Sequence, residues 1–134
     1  MNNIIEDVQE LFDQYLDCWN KRDLEGVAAC FDEPSMFVLP TGAVSSPDRQ
    51  SLVSLLEKVF AGLEAAGFSH TTIGSVDATP CGDGLAIVDA AEVNRVKKDG
   101  SLLEKIDGHY VMRNCDGEWR LIVAVSCASG WRTS

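Results

Sequence analysis

The stretch "CGDGLAIVDAAEVNRVKKDGSLLEKIDGHYVMRNCDGEWRLIVAVSC", residues 81 to 127, decides the architecture. Three glycine-containing turns, CGDG (81–84), KKDG (97–100) and NCDG (114–117), punctuate it at regular intervals. Between them lie runs rich in β-branched and apolar residues, which the turns mark as strands. Together with "SHTTIGSVDAT" (69–79) just before, this predicts four consecutive strands in an antiparallel meander.

Upstream of residue 67 the period changes. Ile4, Ile5, Val8, Leu11, Phe12, Tyr15, Leu16 and Trp19 fall on one arc at helical spacing, with acidic residues mostly outside it. "NKRDLEGVAACF" follows as a short second helix with Asp23 as its N-cap. "DEP" stops that helix, and "SMFVLP" reads as a lone strand, near residues 35–39, closed by Pro40. In "SSPDRQ" Ser46 is placed to cap a third helix, with Pro47 at its first position, and Gly67 ends it. The order is therefore α+β, with helices packed on one face of a curved sheet, in a single domain over residues 1–134.

Composition excludes several classes of function. With 11 basic and 21 acidic residues the net charge is −10, a field that repels phosphate backbones and anionic lipid heads. Nucleic-acid and membrane partners are not expected. No apolar run reaches the roughly 18–20 residues that span a bilayer, and the start "MNNIIEDVQE" is acidic where a signal peptide is basic. The expected location is the cytoplasm. Five dispersed cysteines (Cys18, Cys30, Cys81, Cys115, Cys127) form no CxxC pair and stand apart from both histidines in sequence. The expectation is free thiols and neither metal site nor cofactor.

Two features carry possible chemistry. Asp107 and His109 stand two apart on a strand, so they share a face of the sheet. They are either an acid–base pair in a pocket or a polar contact near the strand end. In "LAIVDAAEVNRV" strict alternation groups Val88, Ala90, Glu92 and Asn94 on one face and Ile87, Asp89, Ala91, Val93 and Arg95 on the other. Both faces are mixed, so Glu92 is either an inward carboxylate or a solvated one. His70 reads as a surface residue. Because the strands carry apolar residues on both faces and the helices can cover only one, a symmetric homodimer through the other face is expected.

The element order, the phrase "YLDCWNKRDLEGVAACFDEP" and the DGxW turn resemble the NTF2-like superfamily, in particular its SnoaL-like and steroid delta-isomerase branches, over residues 6 to 128. The resemblance implies a cystatin-like cone in which the sheet wraps the first helix and leaves a pocket between them. Against the isomerase pattern Tyr15 falls on the oxyanion-hole tyrosine. Counting back from NCDG, His109 falls where the isomerase has its protonated aspartic acid. With Asp107 beside His109 on the same strand face, the catalytic candidates are Tyr15, Asp107 and His109, with Tyr15 and His109 expected to face one cavity. The isomerase's general base, a carboxylate just before a proline, is replaced by Leu39 before Pro40, and leucine cannot shuttle a proton.

Candidates for the pocket wall are Trp19, Phe37, Leu39, Phe60, Glu92, Ile122 and Ala124, with Trp119 as core or wall. Trp131 either belongs to a loose tail or covers the pocket mouth or a neighbouring subunit. Two functions stay open. One is a pocket for a small apolar molecule with acid–base chemistry of isomerase, dehydratase or cyclase type. The other is a non-enzymatic association module with a filled cavity.

Overall fold

The structure is a computed structural model that describes residues 3–128. Trp131 and the rest of "WRTS" lie outside those residues. Helix α1 spans Ile4–Asn20, and Asn3 caps it through its side-chain oxygen, which accepts from the Glu6 amide. Helix α2, Leu24–Ala29, starts as the sequence predicts, with the Asp23 carboxylate accepting from the Gly26 amide at 3.0 Å.

The next segment differs from the expected lone strand. Strand β1 runs Phe31–Leu39 and forms a hairpin with β2, Gly42–Ser46. Pro34 falls within β1 where its ladder to the neighbouring strand is interrupted, a place where the missing N–H costs nothing. The hairpin also corrects the third helix. Ser46 is held in the ladder opposite Ser35, so the cap passes to Asp48, whose carboxylate accepts from the Ser51 amide at 2.8 Å. Helix α3 then spans Arg49–Ala65, and Gly67 follows it with φ +85°, the left-handed conformation that glycine adopts freely.

Strands β3 (Phe68–Pro80), β4 (Leu85–Lys97), β5 (Leu102–Cys115) and β6 (Glu118–Ala128) form the expected antiparallel meander. The six-stranded sheet has the order β2-β1-β6-β5-β4-β3, and β1 lies parallel to β6. The buried core includes Val8, Phe12, Leu52, Leu56, Phe68, Val88, Met112 and Leu121, so α1 and α3 cover the same sheet face.

Two bulges decide which residues reach that face. Between the pairs Ala90–Gly108 and Val93–Ile106, Ala91 and Glu92 on β4 oppose Asp107 alone on β5. The extra residue flips parity, so the inner face runs Ala86, Val88, Ala90 and then Val93 and Arg95. On β6 the extra residue is Ile122, between Leu121 opposite Met112 and Val123 opposite Val111. Strict alternation fails at both places.

All five cysteines are free thiols. No helix among the described residues is long and apolar enough to cross a membrane.

Candidate functional site

Between α1 and the concave sheet face lies a cavity of about 150 Å³. Phe12, Tyr15, Leu16 and Trp19 enter it from α1 at the i, i+3, i+4, i+7 spacing of one helix face. The sheet contributes residues that stand opposite one another across strands: Phe37 with Ala124, Ala124 with Tyr110, and Val93 with both Ile73 and Ile106. Leu39 at the end of β1, Val59 of α3, and Ser126 complete most of the wall. The space is neither the several-hundred-Å³ pocket of a drug-sized ligand nor fully closed by Trp19, Phe37 and Phe60.

Of the residues singled out from sequence, Tyr15, Trp19, Phe37, Leu39 and Ala124 line this cavity. Phe60 stands behind the wall, its ring packed on Trp19 with centroids 4.6 Å apart. The remaining candidates are elsewhere. Asp107 and His109 do share a face, but Ile106, Gly108 and Tyr110 occupy the inner side of β5, which turns the pair outward. His109 Nδ1 lies 2.6 Å from Asp89 Oδ1, directly across the ladder on β4. The buried Asp107 carboxylate accepts from the Glu92 amide in the bulge at 3.2 Å. Glu92 has φ +55°, a side chain 63% exposed, and Lys105 at 3.6 Å. Ile122 is the extra residue of the β6 bulge and does not line the cavity. His70 is exposed, as expected.

Tyrosine chemistry dominates the inner site. The rings of Tyr15 and Tyr110 meet edge to face, with centroids 5.8 Å apart. Burial pushes Tyr110 up to about 12, and burial together with the adjacent Tyr110 holds Tyr15 well above the usual phenol value. Both are therefore neutral hydrogen-bonding groups. The Tyr110 ring folds back over Gly108, where an added Cβ would stand 2.7 Å from the Tyr110 hydroxyl oxygen. Glycine at 108 makes room for the tyrosine pair.

The sequence reading missed the polar pair of the cavity wall. Thr71 and Arg95 are direct cross-strand neighbours, and both line it. The Arg95 guanidinium lies 5.9 Å from the Trp19 ring centroid and donates to Glu104 at 2.7 Å. The Thr71 backbone is clamped to Asn20 on α1 by two hydrogen bonds, of 2.8 and 3.1 Å. Its hydroxyl is buried and has no hydrogen-bond partner. Arg95 was hidden by the bulge, because strict alternation separates it from Val88 and Ala90. Among the described lining residues Arg95 carries the single formal charge, and none is a carboxylate or an imidazole.

A family model described as "NTF2-like protein (DUF6841)" matches residues 6–129. None of the curated proteins compared with the chain matches it. Among solved structures, an NTF2-like protein with a cystatin-like fold from Novosphingobium aromaticivorans superposes with a TM-score of 0.75 at 16% identity, over 94% of this chain and 82% of that one. A ketosteroid isomerase-like protein from Erwinia carotovora atroseptica gives 0.70 at 17% identity, over 94% and 96%. A putative calcium/calmodulin-dependent protein kinase II association domain from Xanthomonas campestris gives 0.69 at 16% identity, over 92% and 86%. At these identities the likeness is one of fold.

Proposed function

The chain belongs to the NTF2-like family, and on that premise we propose that it binds a small, largely apolar molecule in the cone between α1 and the sheet. The observation that carries this reading is the cavity itself: an aromatic and aliphatic wall in which Thr71 and Arg95 stand side by side as polar groups. Its volume of about 150 Å³ sets the scale of the ligand. An apolar cavity of about that size accommodates benzene, so the occupant is about one ring or a short branched chain.

Binding, rather than proton transfer, is the activity that the wall supports. A general base works best with a pKa near the operating pH. The titratable lining groups are two phenols raised above their ordinary value and one guanidinium. The outward Asp107, His109 and Glu92 leave the acid–base reading without its expected carriers. The fold itself decides nothing here, since its relatives include an isomerase-like protein and an association domain.

A second property accompanies this reading on a separate observation. Met36, Val123, Val111 and Ile87 stand in one unbroken row across four strands on the sheet face away from the helices. That row supports a homodimer through the outer face.

Thermal shift with single-ring aromatic compounds tests the cavity reading. A ligand at 100 times its Kd stabilises by about 2.7 kcal/mol, a readily measured rise in Tm. Binding is expected in the wild type and lost in a folded Ala124→Phe variant, whose ring fills the cavity. Equal binding by both would place the ligand elsewhere, and no binding to the wild type would reject the reading.

A further inference from the structure

The polar pair of the cavity wall has a chemical preference. We propose that the ligand is an anion, a single-ring aromatic or short branched carboxylate, held by Arg95 and Thr71 with its apolar body among the aromatic side chains. The proposal rests on the reading of the cavity as a ligand site and adds the ligand's charge.

Three observations converge on it. In a chain of net charge −10 with 21 acidic residues, the described cavity wall carries one formal charge, and it is positive. A guanidinium has five N–H donors in a planar fork, and the Glu104 contact engages Nη1, so donors remain for a second carboxylate. Second, Thr71 stands directly across the ladder from Arg95, 6% exposed, with a hydroxyl that no protein group satisfies. A buried hydroxyl without a partner is costly, and a carboxylate oxygen would accept its proton. Third, the two groups belong to rigid elements. Asn20 fixes the Thr71 backbone from α1, and the Trp19 ring lies against the guanidinium. Ordering them on binding costs little.

Glu104 does not cancel this preference. Its side chain is nearly half exposed, so its repulsion of an incoming anion is screened by solvent, whereas Arg95 is mostly enclosed. A phosphate or sulfate monoester is less suited. It would bring a second charge or a bulkier tetrahedral head into a cavity of about 150 Å³ with one guanidinium.

Calorimetric titration with benzoate and its neutral isostere benzamide separates the possibilities. Benzoate is expected to bind the wild type about tenfold or more tightly than benzamide, the scale of a hydrogen bond to a charged group. Arg95→Gln should erase that ratio by weakening benzoate more than benzamide, and Thr71→Val should reduce it several-fold. Should Arg95→Gln fail to fold, Thr71→Val decides on its own, and an unchanged benzoate-to-benzamide ratio in that variant would overturn the proposal. Equal binding of the two probes, or tighter binding of benzamide, would overturn the anion assignment and leave the cavity reading intact. Binding of neither, with no response to other single-ring compounds, would overturn both.

Discussion

The buried carboxylate of Asp107 accepts a hydrogen bond from the backbone amide of Glu92 at 3.2 Å, across a bulge that sets the parity of half the binding face. Glu92 sits there with φ +55°, against Gly74 of β3, whose missing side chain leaves room for it: an added Cβ would stand 2.9 Å from Glu92 Cβ. Bulge, carboxylate and glycine form one device, and its product is the inward turn of Val93 and Arg95.

Asp107→Ala should therefore act on stability and on the site together. Losing the acceptor of this partly buried amide costs about 1–3 kcal/mol, and a relaxed bulge would disturb Arg95. Glu92→Gly should be neutral or stabilising, because the relief of about 1–2 kcal/mol of left-handed strain offsets the added unfolded-state entropy of glycine. Urea unfolding of both variants checks this. A wild-type midpoint for Asp107→Ala would show that the carboxylate does not hold the bulge.

The chain has two tyrosines, and both are in the site, so phenol absorbance reports on the cavity directly. Their folded pKa values lie above that of the unfolded chain. The stability they contribute is thus fully present below pH about 10 and is lost as pH rises through the folded values, near 12 for Tyr110. Phenolate absorbance should appear together with loss of circular dichroism, not before it. In Gly108→Ala the new methyl would displace the Tyr110 ring, so ionisation should begin at lower pH with an overpacking cost of about 1–3 kcal/mol. Early, independent ionisation in the folded wild type would mean that the pair is open to water.

Much of this architecture is written in local signals. The turns CGDG, KKDG and NCDG delimit the meander, and the period of Phe12, Tyr15, Leu16 and Trp19 places α1 in the cone. What the sequence hides is parity. A single extra residue inverts every side chain beyond it, and no local preference marks Ala91–Glu92 or Ile122 as the extra ones. The outward turn of His109 was nevertheless legible. Ile106, Gly108, Tyr110 and Met112 form the more apolar set of β5, opposite Lys105, Asp107, His109 and Val111. Distance from the NCDG turn favours the opposite placement, because it takes no account of that pattern. Ser46 fails differently, because its capping chemistry competes with a β2 ladder that forms only with distant Ser35.

The outer sheet face leads to an expectation about assembly. Met36 and Ile87 are each more than a third exposed at the two ends of the row through Val123 and Val111. A stable dimer buries about 1,200–2,000 Å² in total, an area that a four-strand face can supply. Sedimentation should give a dimer at tens of micromolar, and Val111→Lys should shift it to monomer while the cavity still binds. A wild-type monomer at that concentration would remove the association reading.

Ketosteroid isomerisation should be absent, despite the isomerase-like solved neighbour. The reaction moves a proton across one face of the substrate while donors hold the enolate oxygen. Tyr15 can donate, but Leu39 occupies the place of the base, and no described lining residue supplies another carboxylate or imidazole. A cavity of about 150 Å³ also falls short of a four-ring substrate. The two obstacles separate experimentally, because a β,γ-unsaturated cyclohexenone is one ring and fits where a steroid does not. Ultraviolet assay should show neither compound converted by the wild type above background. Leu39→Asp restores a carboxylate at the rim and should accelerate the cyclohexenone alone, at most by the 10²–10⁴-fold or so that a positioned base contributes. Conversion of the steroid by the wild type would show that the cavity opens in solution and that a base reaches it from outside the described wall.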